Sequence, residues 1–176
     1  MIHSSRLLPF LMLILTGCAL RSGPPASLPA LMVQRLEWMD QVAEAKQARG
    51  LPVNDPKREA ELLAAMEKLG AESGLPKEPV RRFFIGQMQA AKARQEEWLK
   101  AHPPANQQGK AIPDLAKTIR PALDQIGKLM LAGLAQARAG KDVPAIIGEA
   151  RRQLVKAGCS RTVIEPALQG LDQALR

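Results

Sequence analysis

The chain has 176 residues and a formal net charge of +8, a length that suits one domain with a sizeable core rather than several domains. Tyr is absent and there are only three Phe and two Trp, so Leu, Ala, Met, Ile and Val carry the apolar content, a composition that favours an all-α fold over a strand-based one. The basic balance suits a nucleic acid, a membrane surface or a small anionic substrate.

The first twenty residues narrow that choice. "MIHSSRLLPFLMLILTGCAL" places one Arg before an apolar run from Leu7 to Leu15, too short to span a bilayer but of the length and pattern of an export signal. The ending "LTGC" resembles the bacterial lipobox, which is cut before a Cys that then carries lipid. Residues 1–17 are therefore expected to be a signal peptide, with Cys18 the lipidated, membrane-anchoring N-terminus. Ordinary cleavage near "SGPPAS" would give a soluble periplasmic chain instead. Either outcome excludes a nucleic acid as the usual partner. With Cys18 lipidated, Cys159 is left alone, and a small hydrophobe near a helix end describes it better than a disulfide partner.

Residues 18–29 read as a tether, and 30–176 as a single domain. In it 30–102 carries most of the candidate site, and 113–176 forms a C-terminal helical part. From Pro29 to Arg49, Met32, Leu36, Met39 and Ala43 keep helical spacing until Gly50. Asp55 and Pro56 form an N-cap and first-turn pair for a second helix, whose buried face is Leu62, Leu63, Met66 and Leu69. A third helix spans Pro79 to Ala101, with Val80, Phe84, Met88, Ala91, Gln95 and Trp98 on one stripe. "HPPANQQGKAIP" breaks the chain. The segment from Asp114 to Gly140 is a fourth helix, either kinked or begun at Pro121. Two shorter helices, Val143 to Ala157 and Thr162 to Leu175, complete about six.

Several polar residues stand where a core would not choose them. Arg35, Met39, Val42 and Lys46 share one helix face, so two cations bracket an apolar strip about 16 Å long at 1.5 Å per residue. Snorkelling at the rim of the core would explain either cation alone. Gln95 interrupts the third helix's stripe, and a buried amide left unpaired costs about 1–3 kcal/mol. Asp55, Arg58 and Glu59 crowd the first turn of the second helix; capping and the macrodipole account for the two acids, whereas Arg58 opposes the dipole and invites an anionic partner. Arg120, before Pro121, is a further candidate, with a solvated surface Arg as its alternative.

Other chemistries thin out. His3 lies in the signal and His102 is isolated, so neither a His metal cluster nor a Ser-His triad is supported. "GLAQARAGKD" has the wrong Gly spacing for a P-loop, and Asp142 stands where Ser or Thr is required. Without strands there is no dinucleotide fingerprint.

Arg35, Lys46, "PVNDPKRE" and "VRRFFIGQMQAAKARQ", in that order and at those intervals, resemble the all-α (AroQ-type) chorismate mutases. The export signal and "IRPALD" are similar to the secreted gamma class, with the resemblance good over 30–138 and thin beyond. It implies a homodimer with a complete site in each chain and the isomerisation of chorismate to prephenate without a cofactor. By position, Arg35 and Arg120 would bind the two carboxylates, and Lys46 with Gln95 the ether oxygen. Glu59 and the backbone near Asp55 would hold the ring hydroxyl, while Arg58 and Asp55 order the pocket. Ala91 departs from the family's frequent hydroxyl, leaving a contact missing or taken by water, and Asn54 stands where an acid is frequent. A lipobox is not general to the class. A non-catalytic envelope lipoprotein with a retained pocket, or a binder of another small dianion, are the competing readings; the first is favoured if Arg120 does not reach the site.

Overall fold

The computed structural model describes residues 26–104, 112, 114–140 and 142–176, so the signal segment and Cys18 lie outside the described residues. Among the described residues six α-helices run in chain order: α1 Leu28–Gln47, α2 Pro56–Glu72, α3 Lys77–Ala101, α4 Arg120–Gly140, α5 Val143–Lys156 and α6 Arg161–Leu175. Each bound lies within two residues of its sequence expectation except the start of α4. There a π-helical turn, Leu115–Ile119, leads directly into the helix.

The π turn has local causes. Asp114 Oδ1 accepts from the backbone N–H groups of Ala116 and Lys117 at 2.8 and 2.7 Å, which starts the turn like an N-cap. A proline ring clashes with the carbonyl four residues earlier in a regular α-helix. Widening the turn ahead of Pro121 relieves that clash, and Ile119 N–H reaches back five residues to Asp114 O at 3.1 Å. The helix is therefore widened before the proline rather than begun at it.

α1 lies at the centre, against α3, α4, α5 and the π turn. Leu31, Met32, Leu36, Met39, Val42 and Ala43 are buried along it, as are Arg35 and Lys46. Its end reverses through Gly50 at φ +62°, with Leu51 N–H bonded to Lys46 O at 2.9 Å; the left-handed turn is one that a Cβ disfavours. α2 is mostly solvated, buries Met66 and Gly70, and packs on α3 and α4.

α3 departs most from the sequence expectation, because it is buried on two faces. Val80, Phe84, Met88, Ala91 and Gln95 form the expected stripe, but Phe83, Gln87 and Ala90 are buried as well. α6 covers that second face in the most extensive helix pairing of the fold. A Cβ on Gly86 would fall 2.6 Å from Pro166 O and 2.8 Å from Gly170 Cα, so the two backbones meet at paired glycines with no space for a side chain. Trp98, at the end of the expected stripe, is only half-buried and stacks on His102 with ring centroids 4.3 Å apart. Cys159 is a half-buried free thiol packed against the core, in keeping with its reading as a small hydrophobe.

Candidate active site

α1, α2, α3 and α4 enclose a cavity that offers about 110 Å³ to the centres of water-sized molecules, well beyond the roughly 10–15 Å³ needed for one water. Its walls bring together every site residue singled out from the sequence: Arg35, Lys46, Asp55, Arg58, Glu59, Ala91, Gln95 and Arg120. Met39, Val42, Val53, Leu62, Phe84, Met88, Leu115 and Leu123 supply an apolar lining between them. The charged groups thus converge on a space too apolar to solvate them fully.

Arg35 and Lys46 define its electrostatics. Arg35 is 6% exposed and Lys46 9%. The Arg35 guanidinium donates from Nη1 to the carbonyl of Gln87 at 3.2 Å, and Lys46 Nζ donates to the carbonyl of Val53 at 2.7 Å. Neither forms an ion pair with a carboxylate among the described residues. Burial lowers the Arg35 pKa to about 10, because a desolvated cation is disfavoured. Burial lowers that of Lys46 as well; the charges of Asp55 and Glu59 pull it back up, and those of Arg120 and Lys92 push it down. A pair of buried cations satisfied only by carbonyls is an arrangement that an anion would stabilise.

The first turn of α2 provides the acids. Asp55 Oδ1 accepts from Arg58 N–H at 3.1 Å and so caps the helix as expected. Arg58 finds its anionic partner within the chain: its Nη2 lies 2.9 Å from Asp124 Oδ1 on α4, one turn beyond Arg120. Glu59 Oε2 lies 3.0 Å from Lys92 Nζ on α3. Asp124 and Lys92 also line the cavity, and neither stood out in the sequence, because each occupies a helical position where a solvated charge is ordinary.

Gln95 is 5% exposed. Its Nε2 donates to Ala91 O at 3.1 Å and lies 3.7 Å from Met39 Sδ, leaving Oε1 buried without a partner. The amide oxygen is thus unsatisfied, and donation to a ligand can use the second N–H, now spent on the weak Met39 sulfur contact. Asn54 Oδ1 lies 3.4 Å from Lys92 Nζ. Among the described residues, no three His, Cys, Asp or Glu side chains are gathered as metal ligands would be.

The fold and cavity together define an all-helical protein with a solvent-accessible pocket whose buried cations suit a small organic anion. The chain belongs to the chorismate mutase type II family. That family's sequence profile matches residues 26–96, the stretch carrying α1, α2 and most of α3. Among solved structures, the chain is similar to the chorismate mutase from Burkholderia thailandensis, with 31% identity over 84% of this chain and 94% of that one and a TM-score of 0.63. The Burkholderia phymatum chorismate mutase is 29% identical over 84% and 90% of the two chains, with a TM-score of 0.64. A secreted chorismate mutase from Yersinia pestis, 20% identical over 83% and 94%, shares the fold with a TM-score of 0.69. No curated protein matches the chain.

Proposed function

We propose that this chain is a chorismate mutase, an isomerase that converts chorismate to prephenate by a Claisen rearrangement. The observation that carries this reading is the pair of buried cations, Arg35 and Lys46, held by carbonyls rather than carboxylates in one apolar cavity. Chorismate is a dianion, and it supplies the carboxylate partners that Arg35 and Lys46 lack. Arg120 lines the cavity from α4, which removes the main reason to prefer a scaffold with a relict pocket.

In this site Arg35 and Arg120 hold the two carboxylates, since a guanidinium matches a carboxylate in plane and can bind it through two bonds. Held in this way, the enolpyruvyl arm lies over the ring, an orientation effect that lowers the barrier without any chemical intermediate. Lys46 and Gln95 donate to the ether oxygen, where negative charge grows as the C–O bond breaks; donors fixed beforehand reward the transition state over the substrate. Glu59 and the backbone near Asp55 accept the ring hydroxyl. Asp55, through the helix cap, and Arg58, through Asp124, hold the α2 wall in place. The rearrangement moves electrons within one molecule, so the scheme uses no nucleophile and no cofactor.

The test is loss of chorismate absorbance, with prephenate identified as the product, for the purified chain and for Lys46→Ala. Removing one preorganised donor of developing charge typically costs about 10²–10³ in kcat. The same loss is expected here with the circular dichroism spectrum unchanged. A folded wild-type chain that leaves chorismate untouched refutes the reading.

The N-terminal pattern supports export, with Cys18 as a lipid anchor at the envelope membrane, and the family resemblance supports a homodimer. None of the described helices is long and apolar enough to cross a membrane. Mass spectrometry of the mature N-terminus distinguishes a lipidated Cys18 from cleavage near "SGPPAS". Sedimentation equilibrium reads the dimer.

A further inference from the structure

Lys92 has no role in the scheme above, yet it lies on α3 one residue after Ala91 and three before Gln95, and lines the same cavity. Its ammonium is held at two points, 3.0 Å from Glu59 Oε2 and 3.4 Å from Asn54 Oδ1. Glu59, Met88 and Lys92 also line a shallower groove between α2 and α3. The ion pair therefore stands in the wall between cavity and groove. The side chains of Lys92 and Glu59 are 31% and 27% exposed, which sets them apart from a freely solvated surface pair.

Glu59 is a long side chain in the first turn of a mostly solvated helix, and without a partner its carboxylate is free to sample rotamers facing the groove as well as the cavity. Lys92 reaches across from α3 and engages Oε2 alone. Asn54, immediately before the Asp55 cap, fixes the ammonium from the other side. A carboxylate gripped by one oxygen has its second oxygen aimed in a fixed direction.

We infer that Lys92 is a positioning residue of the mutase site: it holds the Glu59 carboxylate so that its other oxygen accepts the ring hydroxyl of the substrate. Lys92 acts through Glu59 rather than on the substrate itself. The inference rests on the function proposed above, and it assigns a task to a lysine that would otherwise pass for surface charge.

Steady-state chorismate kinetics on wild type, K92M, K92R, E59Q and the double variant K92M/E59Q form the test, with a melting curve for each. K92M is expected to lower kcat/KM about tenfold, equivalent to about 1.4 kcal/mol, while K92R keeps activity within about threefold of wild type because it retains charge and reach. Residues that act through one another are not additive. K92M/E59Q should therefore be no slower than E59Q alone. A K92M enzyme within about twofold of wild type overturns the inference, as does a full additional loss in the double variant, which would mean that Lys92 works independently of Glu59. If K92M does not fold, K92Q carries the same cycle, since it keeps a donor and drops the charge. An inert wild type overturns the mutase reading and this inference with it; an active wild type with additive variants overturns the inference alone.

Discussion

Lys46 and Gln95 divide the task at the ether oxygen between a cation that titrates and an amide that does not. An amide donates at any pH, so no acid limb arises from Gln95, and kcat is expected to change little between about pH 5 and 8. The alkaline side belongs to Lys46, whose pKa is lowered by burial from the ordinary 10.5. Activity should fall as pH rises through a value below that ordinary one. Stability responds in the opposite sense. Between the lowered folded pKa and the unfolded one, the unfolded chain binds more protons, so the Lys46 contribution to stability rises with pH across that window. A pH–rate profile of kcat/KM alongside urea melts at each pH checks both signs, and a steep rate loss between about pH 5 and 8 would count against the placement of Gln95. These residues were legible in the sequence because a buried charge or amide breaks an apolar stripe with helical period. Lys92 and Asp124 were not: a lysine beside Ala91 and an aspartate after Leu123 look solvated until the opposite helix supplies Glu59 or Arg58, and a partner 33 or 66 residues away leaves no local trace.

At the scale of elements, the ion pair between Arg58 and Asp124 joins the start of α2 to the start of α4, one turn past Arg120. Its side chains are 32% and 44% exposed, so it should add only about 0.2–1 kcal/mol to stability. Its larger effect is geometric. Asp124→Asn is expected to raise KM for chorismate several-fold through a loosened α2 wall with kcat changed less, because an interaction lost from substrate and transition state alike appears in KM; kinetics with a melting curve reads the two effects separately. The crossing of α3 and α6 is more demanding. Gly86→Ala places a methyl group against the backbone of α6, where no side chain can rotate away, and overpacking of this kind costs about 1–3 kcal/mol. The melting temperature should fall by roughly 2–4 °C for each kcal/mol lost, measurable by calorimetry. Helix positions followed from apolar spacing and, for α2, from the cap at Asp55. The second buried face of α3 did not, since Phe83, Gln87 and Ala90 acquire their neighbours only when a distant helix docks.

For the whole molecule, the net charge of +8 acts on encounter. A net positive charge draws a dianionic substrate in by long-range attraction, and salt screens that attraction. We expect kcat/KM to fall several-fold between about 0.01 M and 1 M salt, a range over which the Debye length shrinks from about 30 Å to about 3 Å. The loss should appear in kcat/KM while kcat stays nearly constant, because the buried contacts inside the cavity are screened much less. A kinetic series in sodium chloride decides this.

The glycine-to-glycine crossing of α3 and α6 also bears on the order in which the molecule is made. α3 carries Ala91, Lys92 and Gln95 on one side, and its other side is covered by α6, fifteen residues long. A chain emerging from a ribosome or a translocation channel has all its site residues out before that cover exists. Phe83, Gln87 and Ala90 then stay in water until α6 is released. Pairings between segments so far apart in sequence carry a loop-closure cost and form late. Packing of the site is thereby tied to the arrival of α6: a chain that stops before residue 161 holds every site residue and lacks the packing that would keep α3 in place.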